Sequence, residues 1–284
     1  ASRKLLDDHI LWVKFSGLAC YGDGFFYSAY DKPVKGQELS DRNAGQKIYF
    51  HRYGKTQETD ELVFSNPDLP QRMFTASLDE DRNYLLISES ESTSGNGLYI
   101  KDLTKPVAKI IQLAQGFEFD YIPVNMIEGK LYLVTNDGAP QYRLVAIDPG
   151  KPQKENWKVI IPESKNTLES CSYCGGKLFA HYMEDAKSKL AVFLPDGSPL
   201  NPVELPGICS LGSFSGTSDG TTAFYSYSSF NTPGSVYKYN TETGKSELFF
   251  APEVKFNPDD IVVKQEFYTS KDGTKIPIFI VHRK

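Results

Sequence analysis

The chain has 284 residues, of which 40% are hydrophobic and 24% charged, and its net charge is -5. This is the composition of an ordinary soluble protein with room for a large core or two domains. The mild acidity argues against a nucleic-acid partner, which needs a basic face. No run of 18 apolar residues predicts a membrane span, and no signal-peptide pattern opens at Ala1. Four cysteines are too few for a disulfide scaffold of this length.

One strand pattern recurs along the chain after Ala1–Asp8, a segment that reads as the tail of an earlier unit. A run with apolar alternation and a polar exit appears five times, at intervals of 50, 45, 46 and 47 residues. Its copies are KIYFHRY at Lys47, GLYIKDL at Gly97, YRLVAID at Tyr142, SKLAVFL at Ser188 and SVYKYNT at Ser235. Another β run precedes each copy, a third follows it, and a weaker run leads each unit. The sequence therefore predicts units of four strands.

Four-stranded units at this period are typical of β-propeller blades. Turn residues such as Gly22-Asp23-Gly24, Glu128-Gly129 and Asp219-Gly220 fall between the first and second strands of the units, where hairpin turns are expected to need positive φ. A β-sandwich is the alternative, but it lacks so sustained a register. The predicted fold class is all-β, with propeller repeats at about 11–65, 73–114, 117–162, 168–207 and 209–251.

The last predicted element is a hairpin. Lys264–Thr269 and Lys275–His282 alternate as strands, and Ser270–Thr274 supplies an Asp-Gly turn. An apolar edge strand is prone to aggregation unless another strand covers it. We therefore expect the natural protein to continue after Lys284.

Short motifs that resemble catalytic sites are better explained as structural. GTSDG at Gly216 matches the nucleophile-elbow pattern, but that pattern needs a helix after the serine, whereas a strand follows Ser218. The C-x-x-C of Cys171 and Cys174 has no second pair for zinc and no helix N-terminus for redox chemistry. The four histidines are expected to occupy plain strand positions. We predict no metal site and no cofactor.

Three stretches together resemble the prolyl oligopeptidase (prolyl endopeptidase) family of serine proteases. They are VKFSGLACYGDGFFYSAYDKP at Val13, SSFNTPGSVYKYNTETGK at Ser228 and FYTSKDGTKIPIFIVHRK at Phe267, and the similarity extends over essentially the whole chain. The resemblance implies a propeller that covers an α/β-hydrolase domain. Residues 1–260 would then be about five of seven blades, and 261–284 would contain the first strands of the hydrolase domain. The resemblance also places the Ser-Asp-His triad after Lys284, so that no catalytic residue is expected in this chain.

The resemblance also implies two residues that line the substrate. Phe15 in VKFSG and Met73 in PQRMF match family positions that face the peptide upstream of proline, although a plain core role is the alternative for both. A family arginine that contacts the peptide backbone falls at Ser90, and a nearby cysteine falls at Thr93. The polar contact is therefore expected to differ, or to come from another residue such as Arg72.

The expected function is that of a gating, substrate-lining propeller in an endopeptidase that cleaves short peptides after proline. Its expected partners are the peptide and its own peptidase domain, with self-association of the chain and without nucleic acid or membrane. The alternative is a propeller that binds a protein or peptide and catalyses nothing. The expected compartment is the cytoplasm or the periplasm.

Overall fold

The computed structural model describes residues 5–38, 40 and 43–284. The chain forms two compact units. The first contains the described residues up to Tyr121 together with Ile147–Trp157, and the second contains Ile122–Ala146 and Lys158–Lys284.

The first unit contains two four-stranded antiparallel sheets, each with its strands in chain order. The strands of the first sheet are β1 (Ala19–Tyr21), β2 (Gly24–Ala29), β3 (Lys47–Arg52) and β4 (Glu61–Ser65). Those of the second sheet are β5 (Met73–Leu78), β6 (Tyr84–Ser90), β7 (Gly97–Asp102) and β8 (Ile111–Ala114). The two sheets share a core in which Phe26, Ile48 and Phe50 pack with Phe74, Leu85 and Ile87.

The second unit contains nearly all of three further four-stranded antiparallel sheets and a final hairpin. The third sheet has β9 (Tyr121–Ile127), β10 (Lys130–Thr135), β11 (Arg143–Ile147) and β12 (Lys158–Ile161). The fourth has β13 (Thr167–Cys174), β14 (Lys177–Glu184), β15 (Lys187–Phe193) and β16 (Pro199–Val203). The fifth has β17 (Ser210–Gly216), β18 (Thr222–Ser228), β19 (Ser235–Asn240) and β20 (Ser246–Phe250). The hairpin consists of β21 (Ile261–Thr269) and β22 (Lys275–Arg283).

The second strand of each sheet is the most buried. β2, β6 and β14 are buried on both faces, whereas the outer strands β4 and β20 have no buried residue. A strand that is covered on both faces reads as a continuous apolar run, and one with a solvated face alternates. This difference explains why second strands such as β10 read as nearly continuous apolar runs.

A β-bulge recurs at the same place in all five sheets. The register between the third and fourth strands shifts at Ile48/Tyr49, Leu98/Tyr99, Leu144/Val145, Leu190/Val192 and Val236/Tyr237. An extra residue at a bulge bends the strand and increases its twist. The five sheets therefore repeat a backbone irregularity that the hydrophobic pattern did not indicate.

The predicted turns lie between the first and second strands, but they are tight for different reasons. Glu128 and Gly129 both have positive φ, as expected for a two-residue hairpin. Gly220, in contrast, has no positive φ, and a Cβ there would lie 2.4 Å from Thr217 Oγ1. A Cβ at Gly220 would therefore displace the Thr217 hydroxyl, and the expectation of a positive φ was wrong there.

The predicted all-β class with four-stranded antiparallel units is confirmed. Helix is confined, among the described residues, to the short 3-10 turns Gln57–Thr59, Lys154–Asn156 and Pro258–Asp260. In the described part of the chain, no helix is long and apolar enough to cross a membrane. The final hairpin begins at Ile261, three residues before the predicted start.

The division into residues 1–260 and 261–284 stays a prediction. Of the predicted tail Ala1–Asp8, the first four residues lie outside the described residues.

Candidate functional site

Phe15 lies in an irregular segment that leads into β1. Its side chain is 62% exposed, and its φ of +55° lies in the left-handed region, which an aromatic residue rarely adopts. The ammonium of Lys14 lies 5.4 Å from the centre of the Phe15 ring. An exposed ring on a strained backbone contributes little to a core, so the plain core role does not fit Phe15.

Met73 is the first residue of β5, and its side chain is half-buried. It stands opposite Ser90 in the register of β5 with β6. Met73 therefore retains an accessible part, while the next residue, Phe74, is fully buried in the core.

The segments that carry Phe15 and Met73 are joined by buried hydrogen bonds. Gln46 donates through Nε2 to the carbonyl oxygen of Lys14 at 2.8 Å and accepts through Oε1 from the backbone N–H of Phe74 at 2.6 Å. The residue after Phe15 and the residue after Met73 are also connected, through Ser28. The structure thus brings the two predicted positions into one hydrogen-bonded frame.

Arg72 lies beside Met73, but its guanidinium already has partners. Its Nη1 donates to Glu89 Oε1 at 2.9 Å, and its guanidinium carbon lies 4.5 Å from the centre of the Phe117 ring. Glu89 is 1% exposed and also accepts from the Tyr99 hydroxyl at 2.8 Å. Burial, and then the carboxylate of Glu89, raise the pKa of Tyr99. Arg72 is therefore held by Glu89 through Nη1, while its buried Nε makes no hydrogen bond to the described residues.

Ser90 and Thr93, where the family's arginine and cysteine were expected, lie at the end of β6 and in the loop after it. The side chain of Ser90 is half-buried and that of Thr93 is exposed. The backbone N–H of Thr93 donates to Ser92 Oγ at 2.6 Å. Neither side chain carries the charge that an arginine would supply.

The motifs that resemble catalytic sites occupy structural positions. Ser218 lies in the turn between β17 and β18, and its carbonyl accepts from Gly176 N–H at 2.7 Å. Cys174 is buried in one core cluster, while Cys171 packs against another, as expected for positions on opposite faces of a strand. Burial raises the pKa of Cys171 to about 12, the opposite of what redox chemistry requires.

His51 and His181 lie in strands β3 and β14, as expected, but each has a buried polar partner that the sequence did not indicate. His51 is fully buried and its Nδ1 lies 2.8 Å from Asp60 Oδ1, while its Nε2 lies 3.8 Å from Asp8 Oδ2. His181 is buried and its Nε2 lies 2.8 Å from Ser188 Oγ. Burial lowers the pKa of His181.

These pairs were missed because they join different strands or segments, and hydrophobic periodicity carries no signal for such contacts. No group of three or more potential ligands is arranged to hold a metal within the ranges that the structure describes.

Comparison with known proteins agrees with this architecture. The family model described as "Prolyl oligopeptidase, N-terminal beta-propeller domain" matches residues 1–252. A prolyl endopeptidase of Elizabethkingia meningoseptica is 40% identical over all 284 residues of the chain, which correspond to 40% of its own length. A dual function macrocyclase-peptidase of Galerina marginata is 30% identical, over 98% of the chain and 40% of its own length.

Solved structures give the same result. A prolyl endopeptidase structure superposes with a TM-score of 0.86 at 36% identity, over 98% of this chain and 40% of its own. Prolyl oligopeptidase B from Galerina marginata, bound to a 35mer hydrolysis and macrocyclization substrate, superposes with a TM-score of 0.84 at 27% identity, over 98% of this chain and 40% of its own.

The five sheets are β-propeller blades, and the chain belongs to the prolyl oligopeptidase N-terminal β-propeller family. The resemblance that the sequence motifs indicated is confirmed. The chain spans about 40% of the length of the curated relatives that it matches.

Proposed function

We propose that this chain is the gating and substrate-lining propeller of a serine endopeptidase that cleaves short peptides after proline. The observation that carries the proposal is family membership over nearly the whole chain, with relatives named prolyl endopeptidases at 40% and 39% identity. Its partner would be a peptidase domain of the same protein, in which a serine activated by histidine attacks the carbonyl after proline.

The propeller contributes access and binding rather than bond cleavage. Phe15 and Met73 present apolar surface to the peptide upstream of proline, and binding pockets are mostly apolar with a few polar anchors. Contacts remote from the scissile bond raise kcat/KM when they hold the substrate in the transition state. The exposure of Phe15 and the accessible part of Met73 support this role.

The test is the length dependence of hydrolysis by the full-length enzyme. Phe15→Ala and Met73→Ala should lower kcat/KM on peptides that extend several residues upstream of proline, and should leave a minimal proline substrate nearly unchanged. Tyr53→Ala is the matched control, because Tyr53 is a partly exposed aromatic residue that follows the C-terminal end of β3. Gln46, which is hydrogen-bonded to Lys14 beside Phe15, precedes the N-terminal end of the same strand. Equal losses on long and minimal substrates, or no loss on either, would contradict the proposal.

Self-association of the isolated chain is a further part of the proposal. Leu248, Phe249 and Phe250 are all more than half exposed on the outer strand β20. Adjacent exposed apolar residues on an edge strand favour pairing with another chain. Light scattering of the 284-residue chain should give a mass above the 31.8 kDa of one copy. Replacement of Phe249 by Lys should lower this mass, and a monomer at all concentrations would argue against self-association.

A further inference from the structure

We propose that Gln46 is a positioning residue which, with Ser16 and Ser28, locks Phe15 and Met73 into one rigid frame for the peptide. The inference rests on the proposed function, because it assigns these three residues a role at the same substrate-facing site. None of the three needs to touch the peptide.

Gln46 is placed to act as a bridge. It is 1% exposed, and both ends of its amide make hydrogen bonds. Nε2 donates to the carbonyl of Lys14, and Oε1 accepts from the N–H of Phe74. Lys14 immediately precedes Phe15, and Phe74 immediately follows Met73. One buried side chain therefore fixes the backbone next to both substrate-lining residues.

Ser28 completes the frame from the neighbouring strand β2. Its backbone N–H donates to Ser16 Oγ at 2.8 Å, and its own Oγ donates to the carbonyl of Phe74 at 2.6 Å. β5 is an edge strand that pairs only with β6 in its sheet, so alternate backbone groups point away from that partner. At Phe74 the backbone N–H donates to the side chain of Gln46 and the carbonyl accepts from the side chain of Ser28. These two bonds attach the edge of β5 to the first sheet.

The backbone strain at Phe15 is the observation that points to function. A left-handed φ at a bulky residue persists only where its surroundings enforce it. Here the enforcement comes from both sides: Gln46 holds the carbonyl of Lys14, and the hydroxyl of Ser16 is held by Ser28. Packing does not explain the conformation, because the ring is 62% exposed. The frame holds an exposed ring in a fixed position, which is how a binding site is preorganised.

The experiment uses the full-length enzyme and the variant Gln46→Glu. Glutamate has the same length and keeps an acceptor for Phe74 N–H; in its ionised form, which assays at alkaline pH favour, it has no donor for the Lys14 carbonyl. The change therefore releases the Phe15 side of the frame alone. Ser16→Ala is a second variant, at a half-buried site, which removes the acceptor for Ser28 N–H. Gln57→Glu is the control, since the half-buried amide of Gln57 also uses both ends, on the N–H and the carbonyl of Leu11 alone, beyond the other end of β3.

We expect Gln46→Glu to lower kcat/KM on long peptides about tenfold, as for a buried acceptor that loses its donor. Ser16→Ala should lower it several-fold, and Gln57→Glu should change it less than twofold. Minimal substrates should be unaffected. In a Phe15→Ala background neither Gln46→Glu nor Ser16→Ala should have a further effect, because both act through the Phe15 ring.

A spectroscopic readout separates this inference from the proposed function. A trifluoromethyl-phenylalanine placed at position 15 should give one sharp ¹⁹F signal in the parent enzyme and in Gln57→Glu. The signal should shift or split in Gln46→Glu and in Ser16→Ala. An unchanged signal in both variants would overturn the inference, whatever the kinetics. A changed signal, combined with a Phe15→Ala enzyme of normal activity on long peptides, would support the frame and overturn the proposed role of Phe15.

Discussion

Glu89 offers a sharp test of how a buried charge stabilises the second sheet. Its carboxylate is enclosed: a Cβ added at Gly97 would lie 2.9 Å from Oε2. It accepts hydrogen bonds from Arg72 at 2.9 Å, from the Tyr99 hydroxyl at 2.8 Å and from Asn66 at 3.4 Å. The change Glu89→Gln keeps the shape of the side chain and removes its charge.

The expected loss of stability follows from the ion pair with Glu89 that Arg72 loses. Breaking a buried ion pair costs about 3–5 kcal/mol when the remaining charge has no other partner. Arg72 keeps Glu91 at 3.7 Å, and its side chain is 18% exposed, so water screens part of the loss. The amide N–H₂ of the introduced glutamine would also face the donors whose hydrogen bonds Glu89 accepts. We therefore expect Glu89→Gln to lower the free energy of unfolding by about 2–3 kcal/mol.

Urea and thermal unfolding of the purified chain measure this loss. At about 2–4 °C per kcal/mol for a domain of this size, the midpoint should fall by about 4–12 °C. Glu91→Gln is the matched control, because it removes a half-exposed carboxylate from the same arginine. Its cost should be about 0–1 kcal/mol.

The comparison between the two variants shows whether burial of the Glu89 carboxylate determines its contribution to stability. If Glu89→Gln and Glu91→Gln lower the free energy of unfolding equally, burial of the charge does not determine its contribution. An increase in stability on Glu89→Gln would show that the cost of desolvating the carboxylate exceeds the gain from its three donors.

Three other predictions concern titration and reactivity. Since burial lowers the pKa of His181, the unfolded chain binds the extra proton, and stability should fall as pH drops below about 6.5 toward the lower pKa of the folded state. His181→Gln should flatten this dependence of the urea midpoint on pH, and an unchanged dependence in this variant would contradict the prediction. Burial raises the pKa of Cys209 to about 11, so at pH 8 the exposed Cys20 should react rapidly with a thiol reagent and Cys209 only after unfolding; rapid labelling of Cys209 in the native state would contradict this. The 284-residue chain should not hydrolyse a proline-containing chromogenic peptide, and turnover that Ser218→Ala abolishes would overturn the assignment of Ser218 to a hairpin turn.

The repeated four-strand units could be predicted from the sequence because their signals are local. The alternation of side chains along Lys47–Arg52 indicates a strand, and the glycine at Gly129 indicates a tight turn. Each signal depends on only a few neighbouring residues. The recurrence of the third strand of each unit at intervals of 45 to 50 residues gave the period. The positions of Phe15 and Met73 came from the resemblance rather than from any periodicity.

Tertiary structure alone decided how these positions are held. Gln46 is separated from Lys14 by 32 residues and from Phe74 by 28, and its amide joins them only because the first two sheets pack together. Glu89 is charged, and no sequence pattern indicates that folding buries it against Arg72. Composition and periodicity report how each segment pairs with its neighbours, whereas a buried polar bridge exists only when distant segments bring a donor and an acceptor together away from water.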